Sequence, residues 1–172
     1  NRILRAVDNN EKITVYGDYD VDGVTSVSIL YLYIKSIGGK IDYYIPSRKG
    51  EGYGVSCEAI EKLHNNGTKL IITVDTGVTA IEETAYAKEL GVDIVVTDHH
   101  ECGEVLPSAI AVINPKRKDT NYPFPSLAGV GVVFKLLCAI ESVYSKTDVI
   151  TAMRKIIRDY ADLTAIGTIA DV

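Results

Sequence analysis

At 172 residues the chain suffices for one domain with a sizeable core and is short for two. With 47% apolar and 24% charged residues it is not a disordered chain, and a net charge of -5, from 23 acidic and 18 basic residues, excludes a global positive field for nucleic acid, so any such contact is local. Cys57, Cys102 and Cys138 are scattered without a CxxC pair, which argues against a zinc knuckle or a disulfide framework and fits a reducing cytoplasm. The longest apolar run, residues 27–34, is too short to cross a bilayer, and no basic-then-apolar leader opens the chain. The chain starts mid-pattern at NRILRAVDNN and stops at GTIADV, as a piece of a longer protein would.

Taken in order, KITVYGD from Lys12 reads as a strand, and VTSVSILYLYIKSIGG from Val24 as a helix closed by glycines. KIDYYIP at 40–46 is a second strand, and residues 56–67 a helix capped by Ser56 and ended by Gly67. KLIITVD at 69–75 is a buried strand, followed by a helix in which Thr79 and Glu82 are spaced as a capping box, with Gly91 beyond its end. VDIVVTD at 92–98 and AIAVIN at 109–114 supply strands four and five. The Pro-rich stretch 115–126 is a surface loop, and helices begin near Leu127 and Thr147. This alternation predicts a doubly wound α/β domain: a mainly parallel five-stranded sheet, helices on both faces and a C-terminal helical extension that departs from the βα pattern.

The chemistry concentrates where strands run out. In VYGDYDVDG, at 15–23, Asp18, Asp20 and Asp22 stand at alternate positions, and in extended backbone they would face one small volume. Two carboxylates about 4 Å apart repel by roughly 4 kcal/mol at an effective dielectric near 20, so a third is tolerable only if a cation sits among them. Oxygen ligands favour Mg²⁺, Mn²⁺ or Ca²⁺. Asp22 alone could merely cap the next helix. DYDVDG also matches the opening of an EF-hand loop, but Ile29 stands where the bidentate Glu belongs and a strand precedes instead of a helix. Asp75 closes strand three in VDTG, and TDHH puts Asp98, His99 and His100 at the end of strand four, the same edge of a parallel sheet; imidazole beside carboxylate moves the preference towards Mn²⁺. Periodicity alone does not place Asp171.

DYDVDG, VDTG, DHH and GTIADV, in that order and nearly end to end, resemble the four motifs of the DHH phosphoesterase family. Within it, VYGDYDVDG, GEGYGVS from Gly50 and LAGVGVVFKLL from Leu127 look most like the RecJ-type, single-strand-specific exonucleases. The resemblance implies a catalytic domain over 1–172, with a second, substrate-binding domain to follow, acting on the 5′ end of single-stranded DNA in repair and recombination. It also implies two Mn²⁺ or Mg²⁺ ions bridged by Asp75, with Asp20 on one ion and Asp22, His99 and Asp171 on the other. Asp18 would act beside them, His100 at the scissile phosphate or in proton transfer, and Asp98 as the acceptor that steadies the histidines. The chemistry implied is in-line attack on a phosphodiester, the two ions stabilising the attacking and leaving oxygens. Those ions would return about four positive charges to an acidic chain. Arg48 would contact substrate phosphate; its competing reading is a solvated loop charge.

Other readings remain. Tyr43, Tyr44 and Tyr53 could stack on bases, although strand aromatics are more often core. The basic run Lys116–Lys118 reads as soluble loop, and His64 as an ordinary helix residue. A receiver-like regulatory domain also carries acids after its first strand and an Asp after its third, with Lys116 in a suitable place, but it binds one Mg²⁺ and needs no imidazole. Relatives that hydrolyse pyrophosphate, cyclic dinucleotides or short oligonucleotides leave GEGYGVS unexplained. A dinucleotide-binding fold would need glycine amides where this chain places acids.

Overall fold

Five strands, β1 (Lys12–Gly17), β2 (Ile41–Tyr44), β3 (Thr68–Val74), β4 (Asp93–Thr97) and β5 (Ala111–Ile113), pair in the order β2-β1-β3-β4-β5, every pair parallel. The computed structural model describes residues 2–47 and 54–171. Parallel strands joined by helical crossovers are covered on both faces, and β1 and β3 show it: Ile13, Val15, Leu70, Ile72 and Val74 face one core, Tyr16 and Ile71 the other. The first core is closed by α1 (Arg2–Asp8), α2 (Val21–Ser36), α5 (Gly129–Tyr144) and α6 (Val149–Ala170). The second is closed by α3 (Cys57–Asn65) and α4 (Ile81–Glu89). The order reverses between β1 and β3, so the crevice beyond their carboxyl ends is where an open parallel sheet receives ligands.

Capping chemistry decides the helix boundaries. Ser56 accepts from the Ala59 amide at 3.2 Å, as its place ahead of an apolar-periodic run predicts. Asp148 caps α6 through the amides of Ile150 and Thr151. The Thr79–Glu82 capping box does not form. The chain instead enters α4 through a turn at Gly77 (φ 104), where the Ala80 amide bonds the Gly77 carbonyl at 3.1 Å, and Ala80, with no capping side chain, takes the cap position. The helix expected from Val24 starts at Val21, because Asp20 turns out of the strand and caps it, accepting from the Gly23 amide at 2.8 Å. The short α1 has no counterpart in the sequence reading; Arg2 pins it to Glu11 and Asp93, each at 2.5 Å. Tyr43 is not core: it lies exposed on the edge strand β2, edge-on to Tyr31. The three cysteines are unpaired.

α6 forms the predicted C-terminal extension, while α5 still follows β5 in the βα alternation. Ala152, Ile156, Tyr160 and Gly167 are the buried positions of α6, which lies against α2 and α5 rather than on the sheet. Buried Glu141 of α5 ties the three helices, accepting from Tyr33 Oη at 2.9 Å and Lys155 Nζ at 3.1 Å. At the far end Gly167 sits so close that a Cβ would stand 2.2 Å from Thr25 Oγ1 and 2.9 Å from Val130 Cγ1. No residue with a side chain fits there without moving α6. Gly167→Ala is therefore expected to destabilise the fold by about 1–3 kcal/mol, the usual cost of overpacking, measured as a lowered urea midpoint at unchanged m-value.

Candidate metal centre

The acidic cluster assembles by a route other than strand alternation. β1 ends at Gly17, so Asp18 lies in the turn, Asp20 caps α2 and Asp22 lies in its first turn. Asp18 and Asp20 converge on one partner, while Asp22 joins others. Ligand atoms of Asp18, Asp20 and Asp75 lie within 4.8 Å of one another; so do those of Asp22, His99 and Asp171, and those of Asp75, His99 and His100. Asp75 and His99 each belong to two of these trios. The two sets assigned by resemblance to separate ions thus occupy adjoining volumes, and Asp18 joins the Asp20 set.

Asp75 is the centre of the arrangement. It leaves β3 in the left-handed region (φ 58), which Asp and Asn tolerate better than other side-chain residues, and it is 2% exposed. Its Oδ1 accepts no hydrogen bond, although His99 Nε2 stands 3.1 Å away. Burial is the main reason its carboxyl is pushed up to about 7; the neighbouring Asp22 and Asp20 add to the shift and His99 opposes it. Gly129 makes room for this carboxylate, since a Cβ there would come within 2.6 Å of Oδ1.

Asp22 is buried and does cap a helix, though not its own. Its two oxygens accept from the amides of Gly129 at 2.6 Å and Val130 at 2.8 Å, closing the start of α5, where Ala128 has no capping side chain. Desolvation nonetheless holds its carboxyl above the ordinary value, against those bonds. His99 stands among three acids: Nε2 is 3.1 Å from Asp75 and 3.8 Å from Asp22, and Nδ1 is 3.7 Å from Asp171, the residue that ends α6. The Asp75 carboxylate raises its imidazole pKa, against burial.

Asp98 has the role expected of a supporting acceptor. Burial pushes its carboxyl up, but His100 Nδ1 at 2.7 Å and the amides of Val78, His99 and His100 outweigh this and hold it below the ordinary value. The same pair lifts His100 to about 9. With Nδ1 engaged, Nε2 is the nitrogen left for a substrate. Asn114 was absent from the predicted set. Buried at the end of β5, it donates to the His100 carbonyl at 2.9 Å and accepts from the Lys116 amide, which fixes the histidine turn from the far side. The other omission was the pair of α5 amides; the signal for them was a helix opening on LAGVG with no Ser, Thr, Asp or Asn to cap it. Lys116, the residue a receiver domain would use, pairs with the exposed Glu101 at 3.2 Å. Arg48 and Tyr53 lie outside the described residues.

A parallel sheet with carboxylates and an imidazole gathered at its switch point offers the ligand types of a hard-cation site. The sequence profile described as "DHH family, N-terminal domain" matches residues 12–168, and the chain belongs to that family. It is 45% identical over 172 residues to the single-stranded-DNA-specific exonuclease RecJ of Bacillus subtilis, and 40% identical over 174 residues to that of Escherichia coli. These alignments cover 100% and 99% of this chain but 20% and 30% of those proteins. A crystal structure of exonuclease RecJ bound to manganese superposes with a TM-score of 0.83 at 36% identity, over 99% of this chain and 41% of that one. Among the described residues no helix is long and apolar enough to cross a membrane.

Without metal, the Asp75 carboxylate opposes folding. Its folded pKa of about 7 lies above the unfolded 3.8, so the folded state holds a proton that the unfolded state has lost, and stability falls as pH rises from about 4 to about 7. Asp75→Asn removes the charge and suits φ 58 better than Ala would. Metal-free, it is expected to be about 2–4 kcal/mol more stable than wild type at pH 8, with the gain vanishing near pH 4, by chemical denaturation across pH.

Proposed function

We propose that the protein to which this chain belongs is a metal-dependent phosphodiesterase that removes nucleotides from the end of single-stranded DNA, in DNA repair and recombination. The observation that carries this reading is the meeting of the Asp18/Asp20/Asp75 and Asp22/His99/Asp171 trios beside a buried carboxylate oxygen with no donor. Cations relieve the repulsion in a pocket so dense in negative charge, and the naming of two relatives as single-stranded-DNA-specific exonucleases and of a structural neighbour as exonuclease RecJ bound to manganese agrees with that chemistry.

Asp18, Asp20 and Asp75 would hold one divalent cation, and Asp22, His99 and Asp171 the other, with Asp75 reaching both. The all-oxygen set suits Mg²⁺ or Mn²⁺, and the imidazole in the second favours Mn²⁺. Bound there, such ions supply Lewis-acid stabilisation of the attacking and leaving oxygens of a phosphodiester. The remaining work falls to the chain. Asp98 fixes the tautomer and tilt of His100 through Nδ1, so that Nε2–H faces outward, to bond a phosphate oxygen or pass a proton to the leaving oxygen. Asp22, tied to the α5 amides, cannot swing away when a substrate enters. Arg48, after β2, would take a second phosphate oxygen. The 172 residues would be the metal-bearing domain, the remainder of the protein holding the strand, and three unpaired cysteines fit work in a reducing cytoplasm.

In the full-length protein, isothermal titration with Mn²⁺ is expected to give two ions per chain; one ion, as in a receiver domain, would overturn the reading. On a labelled single strand, Asp75→Asn and His99→Ala are each expected to lower the cleavage rate by more than about a hundredfold, beyond the cost of losing a mere supporting partner. A duplex with blunt ends should remain uncut by the wild type.

A further inference from the structure

At the open edge of the sheet, where β5 ends, a cavity of about 440 Å³ lies unused by the chemistry above. Ile113 and Val132 wall it, Asn114 lies in its lining, and Tyr122 and Lys135 stand at it from the loop and from α5. It is joined to the metal centre on two sides. Asn114 holds the carbonyl of His100, and Leu127, also in the lining, runs directly into the α5 amides that bind Asp22.

We propose that this cavity is a nucleobase subsite, receiving one base of the single strand whose backbone lies at the metal centre. The inference rests on the nuclease reading and extends it to the place of the bases. A strand whose phosphates lie at the metal centre must put its bases elsewhere, and a mainly apolar hollow of this size with few polar groups suits a flat ring with apolar faces. Tyr122 is 39% exposed, an aromatic face available for stacking beside such a hollow. The charges agree. Lys116, Arg117 and Lys118 are each paired, with Glu101, Asp119 and Glu104, whereas Lys135 is exposed and has no acidic partner among the described residues. An apolar peptide in the cavity would leave that ammonium unanswered; a nucleotide fills the hollow with its base and brings a phosphate to the cation.

The test is equilibrium binding of a labelled deoxythymidine oligonucleotide to the full-length protein with Ca²⁺ in place of Mn²⁺, alongside strands carrying one abasic residue at successive positions. One abasic position is expected to weaken wild-type binding about tenfold, the scale of a lost stacking contact. Tyr122→Ala should lose a similar factor on the intact strand and nothing more on that abasic strand, while Tyr122→Phe binds as wild type. Lys135→Ala should weaken every strand alike, as a phosphate contact does. Intact-strand binding unchanged in both Tyr122→Ala and Lys135→Ala overturns the subsite, as does a Tyr122→Ala loss of equal size on all abasic strands. Wild-type cleavage of the same strands with Mn²⁺ reads the parent proposal separately: binding that follows the expected pattern without cleavage would keep the subsite and remove the nuclease.

Discussion

The structure depends on a pocket of like charge at the carboxyl ends of its strands, where acids from β3, α2 and α6 close on one imidazole. Asp18, Asp22, Asp75 and Asp98 are almost wholly buried, and the bonds of Asp98 hold its carboxyl below the ordinary value. Asp22 and Asp75 are pushed the other way by desolvation, and one oxygen of Asp75 has no donor. Buried carboxylates normally find hydrogen bonds or shed their charge, so a fold that keeps two of them side by side is arranged for cations that complete it.

Much of the remaining architecture holds those acids in place. The βα units deliver Asp20 and Asp22 on the first turn of α2, Asp75 at the end of β3 and the histidines at the end of β4, all at one edge of the sheet. The last two helices serve the same site. α5 presents its first amides to Asp22, and α6 ends on Asp171 beside His99, an approach that Gly167 permits by lying directly against α2 and α5. Packing and chemistry are therefore coupled: the C-terminal helical pair is both the cover of one core and the carrier of a candidate ligand.

Two histidines adjacent in sequence have separate environments. His99 lies inward among three acids, while His100, 47% exposed, leans on Asp98 and is tethered through its carbonyl by Asn114. Asn114 continues into the lining of the edge cavity, so one side chain connects the histidine turn to the surface where a strand's bases could rest. Direct bonds link the two places, with no mobile element needed between them.

The order of strands and helices was legible in the sequence because buried parallel strands leave β-branched runs and the crossover helices carry caps such as Ser56. The acids, too, announced a site, since three at alternate positions have no cheap structural use. Their geometry was not legible: alternation implied one extended face, whereas the turn after Gly17 and the capping bond of Asp20 send them to two neighbouring trios. Thr79 and Glu82 had the spacing of a capping box, but the close approach of Gly77 to Thr73 sets that turn instead. Asp171, Asn114 and the α5 amides act through contacts between residues distant in the chain; the uncapped opening of α5 hinted at a missing acceptor, but no local pattern names Asp22 as that acceptor. Local spacing can determine which residues are strand, helix and acid, because those preferences reside in a few neighbouring side chains. Which carboxylate meets which imidazole was decided by tertiary packing, because it depends on how closely α5 and α6 approach the sheet.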